Sequence, residues 1–161
     1  MNWKDLFEKQ KELDRYIEEN HNLEEEDLIS RKILAFQVEL GELANETRCF
    51  KFWSVKPASP PAIILEEYVD GLHFLLSLGL ELSCTFQLLE PAPANEDLTI
   101  QFQRVFRFAS RFEEEPSAPN YRLLFAAFLA LGRQLQLTEK AVMEGYWEKN
   151  QVNRQRQQEG Y

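Results

Sequence analysis

Cysteine and glycine are scarce in this chain, with two and six of 161 residues. Cys49 and Cys84 have no metal-type spacing. Neither a disulfide framework nor a zinc site is indicated, and a reduced, cytoplasmic protein is the simpler expectation. The glycines are dispersed, so no glycine-rich run exists to wrap phosphates in backbone amides. Basic residues are outnumbered, 18 Lys and Arg against 27 Asp and Glu, for a net charge of -9. A surface of that sign repels a phosphate backbone and excludes general nucleic-acid binding. Long apolar runs are missing too: no stretch reaches the ~18 uninterrupted residues of a membrane span. The first segment, MNWKDLFEKQKELDRY, is charged throughout, unlike a secretory leader. Sustained period-two alternation is absent, which argues against a sheet.

What is present is helical. All seven prolines fall in three clusters, Pro57, Pro60 and Pro61, then Pro91 and Pro93, then Pro116 and Pro119. Because proline is poorly tolerated inside helices, the clusters mark connections between long helix-forming segments rich in Leu, Glu, Gln, Lys and Arg. The pattern predicts helices over about 3–19, 23–48, 62–83, 96–113, 120–136 and 138–157. Asn20 and Asn22 are expected to cap the second helix with Glu24, Glu25 and Glu26 in its first turn, and Thr138 the sixth. The expected class is all-α, a bundle of about six helices in one domain over 1–161. Phe102, Phe106, Phe108 and Phe112 are expected to pack the bundle or a subunit interface.

Among so many acidic residues, most pairs at helical spacing are ordinary solvated faces, and Glu24 to Glu26 and Glu113 to Glu115 are read that way. Two segments differ. In VELGELANE, the residues Glu39, Glu42 and Glu46 flank an apolar stripe of Ile29, Ile33, Phe36, Leu40 and Leu43. In EEYVDGLHFLLSLGLEL, the helix is apolar nearly all round, yet Glu67, Asp70 and Glu81 share one face with Phe74. An unpaired charge there would cost several kcal/mol. Carboxylates gathered in one place repel each other and take up protons unless a cation neutralises them. Hard oxygen donors without a His or Cys cluster favour Mg²⁺ or Mn²⁺, which are commonly shared with substrate phosphates. Metal-assisted hydrolysis of a phosphate anhydride follows as the expected chemistry, with Glu42 or Glu39 left to polarise the attacking water. Near the C-terminus, Lys149, Asn153 and Arg156 are spaced along one helical face and can grip a phosphate tail, although a solvated terminal helix has the same pattern.

The spacing Glu39-x-x-Glu42 followed by Glu67-x-x-Asp70 resembles the metal-binding pattern of the MazG-like, all-α nucleoside triphosphate pyrophosphohydrolases. The strings ELANETRCFKFWS and EEYVDGLHFLLSLG, with Lys149, Asn153, Arg156 and Tyr161 at the end, resemble the dimeric dUTPases within that superfamily. The resemblance runs from the first helix to the last residue, although the fourth and fifth helices carry no matching motif. It implies a homodimer that hydrolyses dUTP, and dUDP, to dUMP. It also implies metal ions held by Glu39, Glu42, Glu67 and Asp70, and phosphate and sugar contacts from Lys149, Asn153, Arg156 and Tyr161. Gln10 matches a glutamine associated with reading the uracil edge. Where relatives can carry an asparagine shortly after it, this chain has Leu13 and Asp14. Trp53, or Phe52 beside it, and Phe74 are candidates to stack on the base, while Phe74 fits core packing equally well. His73 is read as a packing or supporting residue. Two alternatives stand beside this reading: a pyrophosphohydrolase of the same fold with another nucleotide preference, and a non-catalytic helical regulator.

Overall fold

The computed structural model describes residues 1–84 and 97–161. The expected connection at Pro91 and Pro93, and the start of the fourth predicted helix at residue 96, lie outside the described residues. Six helices follow one another: α1 (Trp3–His21), α2 (Ile29–Thr47), α3 (Pro61–Glu81), α4 (Leu98–Glu114), α5 (Ala118–Gln134) and α6 (Glu139–Gln158). The described residues contain no strand, and no helix among them is long and apolar enough to cross a membrane.

Five helices begin close to their expected positions. Pro61 and Pro119 open α3 and α5, where the missing N–H costs nothing. The Thr138 side chain accepts from the Ala141 N–H at 3.2 Å. The exception is α2, which starts six residues later than expected. Asn22 is in the left-handed conformation (φ 54°, ψ 48°) and closes α1 by donating its N–H to the Glu18 carbonyl. Asparagine serves either end of a helix, because its short side chain tolerates that conformation as readily as it caps an N-terminus. Glu24 to Glu26 are consequently exposed in the connection rather than in a first turn. The Asp27 side chain accepts from the Ile29 N–H at 3.0 Å.

The nearly all-apolar α3 is the central element, packed against α1, α2, α5 and α6, with α4 against α5 and α2. Its aliphatic faces account for Leu72, Leu75, Leu76 and Leu78, all fully buried. Phe102 and Phe112 are buried, and Phe106 and Phe108 pack partly buried against the same core. Two tyrosines tie the centre together. Tyr68 stacks on Phe128 with centroids 4.4 Å apart, and the Tyr121 hydroxyl donates to the Leu75 carbonyl at 2.9 Å. That last approach needs Gly79, since a Cβ there would stand 2.7 Å from Tyr121 Cζ and closer still to its hydroxyl. Gly79→Ala is therefore expected to destabilise the fold by about 1–3 kcal/mol, the usual cost of overpacking. Urea unfolding followed by circular dichroism checks this, with an unchanged midpoint as the contrary result.

Candidate active site

Helical spacing sets Glu67 and Asp70 on the same side of α3, and packing of α2 against α3 brings Glu39 to meet them. One carboxylate oxygen of each lies within 4.8 Å of the others. A third helix reaches the same spot: Lys149 of α6 donates to Asp70 Oδ2 at 2.7 Å and to Glu66 Oε1 at 3.2 Å. The cluster is short of positive charge. Glu39 is pushed up to about 7, first by burial and then by Asp70, Glu42 and Glu67. Glu67 is likewise pushed up to about 7, by burial and then by Glu42, Asp70, Glu66 and Glu46. Burial raises Asp70 as well, against the pull of Lys149. Three converging carboxylate oxygens that would give up their protons to a nearby cation are the donor set a hard divalent ion takes.

Beside this cluster lies a cavity of about 350 Å³ between α1, α2, α3 and α6, within the range of small-molecule sites. Glu39 and Asp70 line it, together with Lys149, Asn153, Arg156 and Tyr161. Gln10 and Asp14 of α1 and Phe74 and Ser77 of α3 line it as well. Ser77 is seven residues beyond Asp70 on α3, about 10 Å along the axis at 1.5 Å per residue. The Asp70 and Ser77 positions thus lie about two helical turns apart along the cavity.

A protein-family model described as dUTPase matches residues 2–161. The chain belongs to the dUTPase family. No curated protein matches it. Membership in the all-α branch agrees with the six helices of the described residues, and it makes the protein a hydrolase, a dUTP diphosphatase, whose substrate is a nucleotide.

Of the residues expected in this dUTPase's site, the structure brings together Glu39, Glu67 and Asp70. It also places Gln10, Phe74, Lys149, Asn153, Arg156 and Tyr161 in the cavity wall. Glu42 is exposed on α2 outside the close trio, although its charge still acts on Glu39 and Glu67. Trp53 is 63% exposed in the α2–α3 connection, edge-on to Phe52 at 5.1 Å, and does not line the cavity. Glu46 and Glu81 also find partners. Glu46 accepts from the Ser59 hydroxyl and so ties that connection to α2, and Glu81 pairs with Lys32.

A buried polar network was missed. The Gln10 side-chain N–H donates to Asp14 Oδ1 at 2.7 Å, and Ser77 Oγ donates to Asp14 Oδ2 at 2.6 Å. Lys32 stands 3.8 Å from Asp14 and 3.3 Å from Glu18. Gln10 Oε1 meets the Tyr146 hydroxyl at 2.8 Å and His73 Nδ1 at 2.9 Å. Because Gln10 points its amide nitrogen at a carboxylate, its oxygen is the acceptor and His73 carries its proton on Nδ1. The imidazole stacks on Tyr146 with centroids 4.2 Å apart. Burial, and then the Lys149 charge, hold it neutral with a pKa near 3, the Tyr146 backbone working the other way. Its Nε2 is buried without a hydrogen-bond partner. One signal for this network was available in sequence: Ser77 is a polar residue on the Asp70 face of an otherwise apolar helix, and Asp14 lies one turn beyond Gln10.

Proposed function

We propose that this enzyme hydrolyses dUTP to dUMP and pyrophosphate, and dUDP to dUMP and phosphate, in a reaction that depends on Mg²⁺, with Mn²⁺ as a substitute. The observation that carries the reading is the convergence of Glu39, Glu67 and Asp70 from two helices beside a cavity also lined by Lys149 and Arg156. Glu39, Glu67 and Asp70 hold the metal, with Glu42 beside them. When bound, the ion neutralises phosphate oxygens and lowers the cost of charge on the attacking water.

The remaining steps belong to side chains. Glu42 or Glu39 takes a proton from the water as its oxygen adds to phosphorus and the anhydride bond opens. Lys149, Asn153 and Arg156 grip the phosphates and sugar, with Tyr161 against Arg156, whose guanidinium is 5.6 Å from the tyrosine ring centroid. Phe74 is the stacking group from this chain's own cavity wall, and Gln10 belongs to the base-reading end. A homodimer is part of the proposal. Phe52 and Val55, 93% and 103% exposed in the α2–α3 connection, are apolar surface suited to a partner chain. Unpaired Cys49 and Cys84 suit a reducing cytoplasm.

The test is a turnover panel of dUTP, dUDP, dCTP, dTTP and dATP with Mg²⁺ or with EDTA. The expected result is highest kcat/KM for the two uracil nucleotides and no turnover in EDTA. A flat panel would refute the uracil reading, and activity in EDTA would refute the metal site.

A further inference from the structure

Lys149 reaches the carboxylate cluster from α6 and stands there as its cation. Its ammonium donates to Asp70 Oδ2 at 2.7 Å and to Glu66 Oε1 at 3.2 Å, with its side chain only 16% exposed. Among the described residues, no other Lys or Arg forms an ion pair with Glu39, Glu66, Glu67 or Asp70. Converging, partly buried carboxylates need such a partner, because unpaired charge out of water is costly. The same lysine opens a strip along α6 that continues one and two turns on with Asn153 and Arg156, and all three line the cavity. Two of its three N–H donors are spent inside the cluster, which leaves one for a ligand. Lys149 is therefore shared between two demands, the charge of Asp70 and the phosphates of a nucleotide.

We infer that Lys149 is a positioning residue that serves as the resident counter-ion of the cluster, holding Asp70 until a phosphate draws its ammonium away and leaves that carboxylate to a divalent ion. The ammonium and a divalent cation compete for the same Asp70 oxygens and repel each other at close range. Metal alone is thus held weakly. Phosphates that attract the ammonium relieve the competition, and by linkage metal and nucleotide each strengthen the binding of the other. The inference rests on the metal reading above and goes beyond it, because it makes metal affinity depend on a residue that is not a ligand.

The experiment measures, by calorimetry, the affinity for Mn²⁺ alone and for the α,β-imido analogue of dUTP alone in EDTA. Wild type is compared with Lys149→Met, which keeps the length and apolar stem without the charge, and with Lys149→Arg, which keeps the charge. Lys149→Met should bind Mn²⁺ at least about tenfold tighter than wild type and the analogue at least about tenfold more weakly. Lys149→Arg should bind Mn²⁺ as weakly as wild type. A lysine that merely braced the fold would weaken both ligands when replaced. Mn²⁺ binding that is unchanged or weaker in Lys149→Met, or analogue binding that is unaffected, overturns the role of Lys149. Tighter Mn²⁺ binding in both variants would assign the effect to shape rather than charge and overturn it as well. A wild type that binds no Mn²⁺ even with the analogue present overturns the underlying metal reading instead. The unaltered protein offers a second measurement. A water-soluble carbodiimide should join Lys149 to Asp70 in EDTA, seen as a crosslinked peptide by mass spectrometry, and the yield should fall at least about threefold with Mn²⁺ and the analogue present. Equal yields in the two conditions overturn the assignment.

Discussion

Asp70→Asn is expected to lower kcat/KM for dUTP by about 10³-fold or more while leaving the helical fold intact. Removing a single preorganised electrostatic partner from an active site costs about 10²–10³ in rate, and Asp70 carries more than one duty. It is one of three carboxylates whose oxygens converge, and it anchors Lys149 at 2.7 Å. Asparagine keeps the shape and one acceptor but removes the charge a hard cation requires. Stability should respond in the other direction. The Asp70 pKa is raised on balance, burial outweighing Lys149, so the ionised form is disfavoured in the folded, metal-free protein. A neutral isostere relieves that. In EDTA at neutral pH the variant should melt no lower than wild type, and Glu67→Gln should behave alike. Steady-state kinetics and thermal unfolding on the same samples provide the check, and activity within tenfold of wild type would remove Asp70 from the site.

The second expectation is that metal-free protein loses stability between about pH 5 and pH 8, and that Mg²⁺ restores it most at the alkaline end. Glu39 and Glu67 both titrate near 7 in the folded state, against 4.5 for an unperturbed glutamate. Between those values the folded state binds more protons than the unfolded one, so stability falls as pH rises. The contribution is fully present below about 4.5 and gone above about 7. A divalent ion competes with those protons for the same oxygens. Its stabilisation, which grows with the ratio of its concentration to Kd, should be larger at pH 8 than at pH 5.5. The Glu39→Gln, Glu67→Gln double variant isolates the effect from the rest of the chain, because its melting temperature in EDTA should fall less over the same range. A Mg²⁺-induced shift of equal size at both pH values, or a double variant that tracks wild type, would show that these carboxylates do not hold the ion.

Much of this was legible without coordinates because it is local. The six helices follow from proline placement and apolar periodicity. The three-residue spacing of Glu67 and Asp70 puts them on one face of a helix with no polar side, where charge demands an explanation. The acidic pairs and terminal motif were enough to match the dUTPase family, whose model spans residues 2–161. Even a local signal was ambiguous at Asn22, since one residue type satisfies both ends of a helix.

What depended on register between helices was not legible. Gln10 meets Tyr146 across 136 residues and His73 across 63, and Lys149 meets Asp70 across 79. Periodicity assigns a residue to a face of its own helix, but it does not say which residue of another helix stands opposite. That choice is made by packing, as α1, α2 and α6 settle against the aliphatic faces of α3. From the sequence alone came an all-α dUTPase with a carboxylate site on its central helix. Only the tertiary structure decided that Gln10 meets Asp14, Tyr146 and His73, that Glu81 belongs to Lys32, and that Asp14 lines the cavity. Hydrogen-bond partners between elements are set by how side chains interlock, and that is a property of the assembled core.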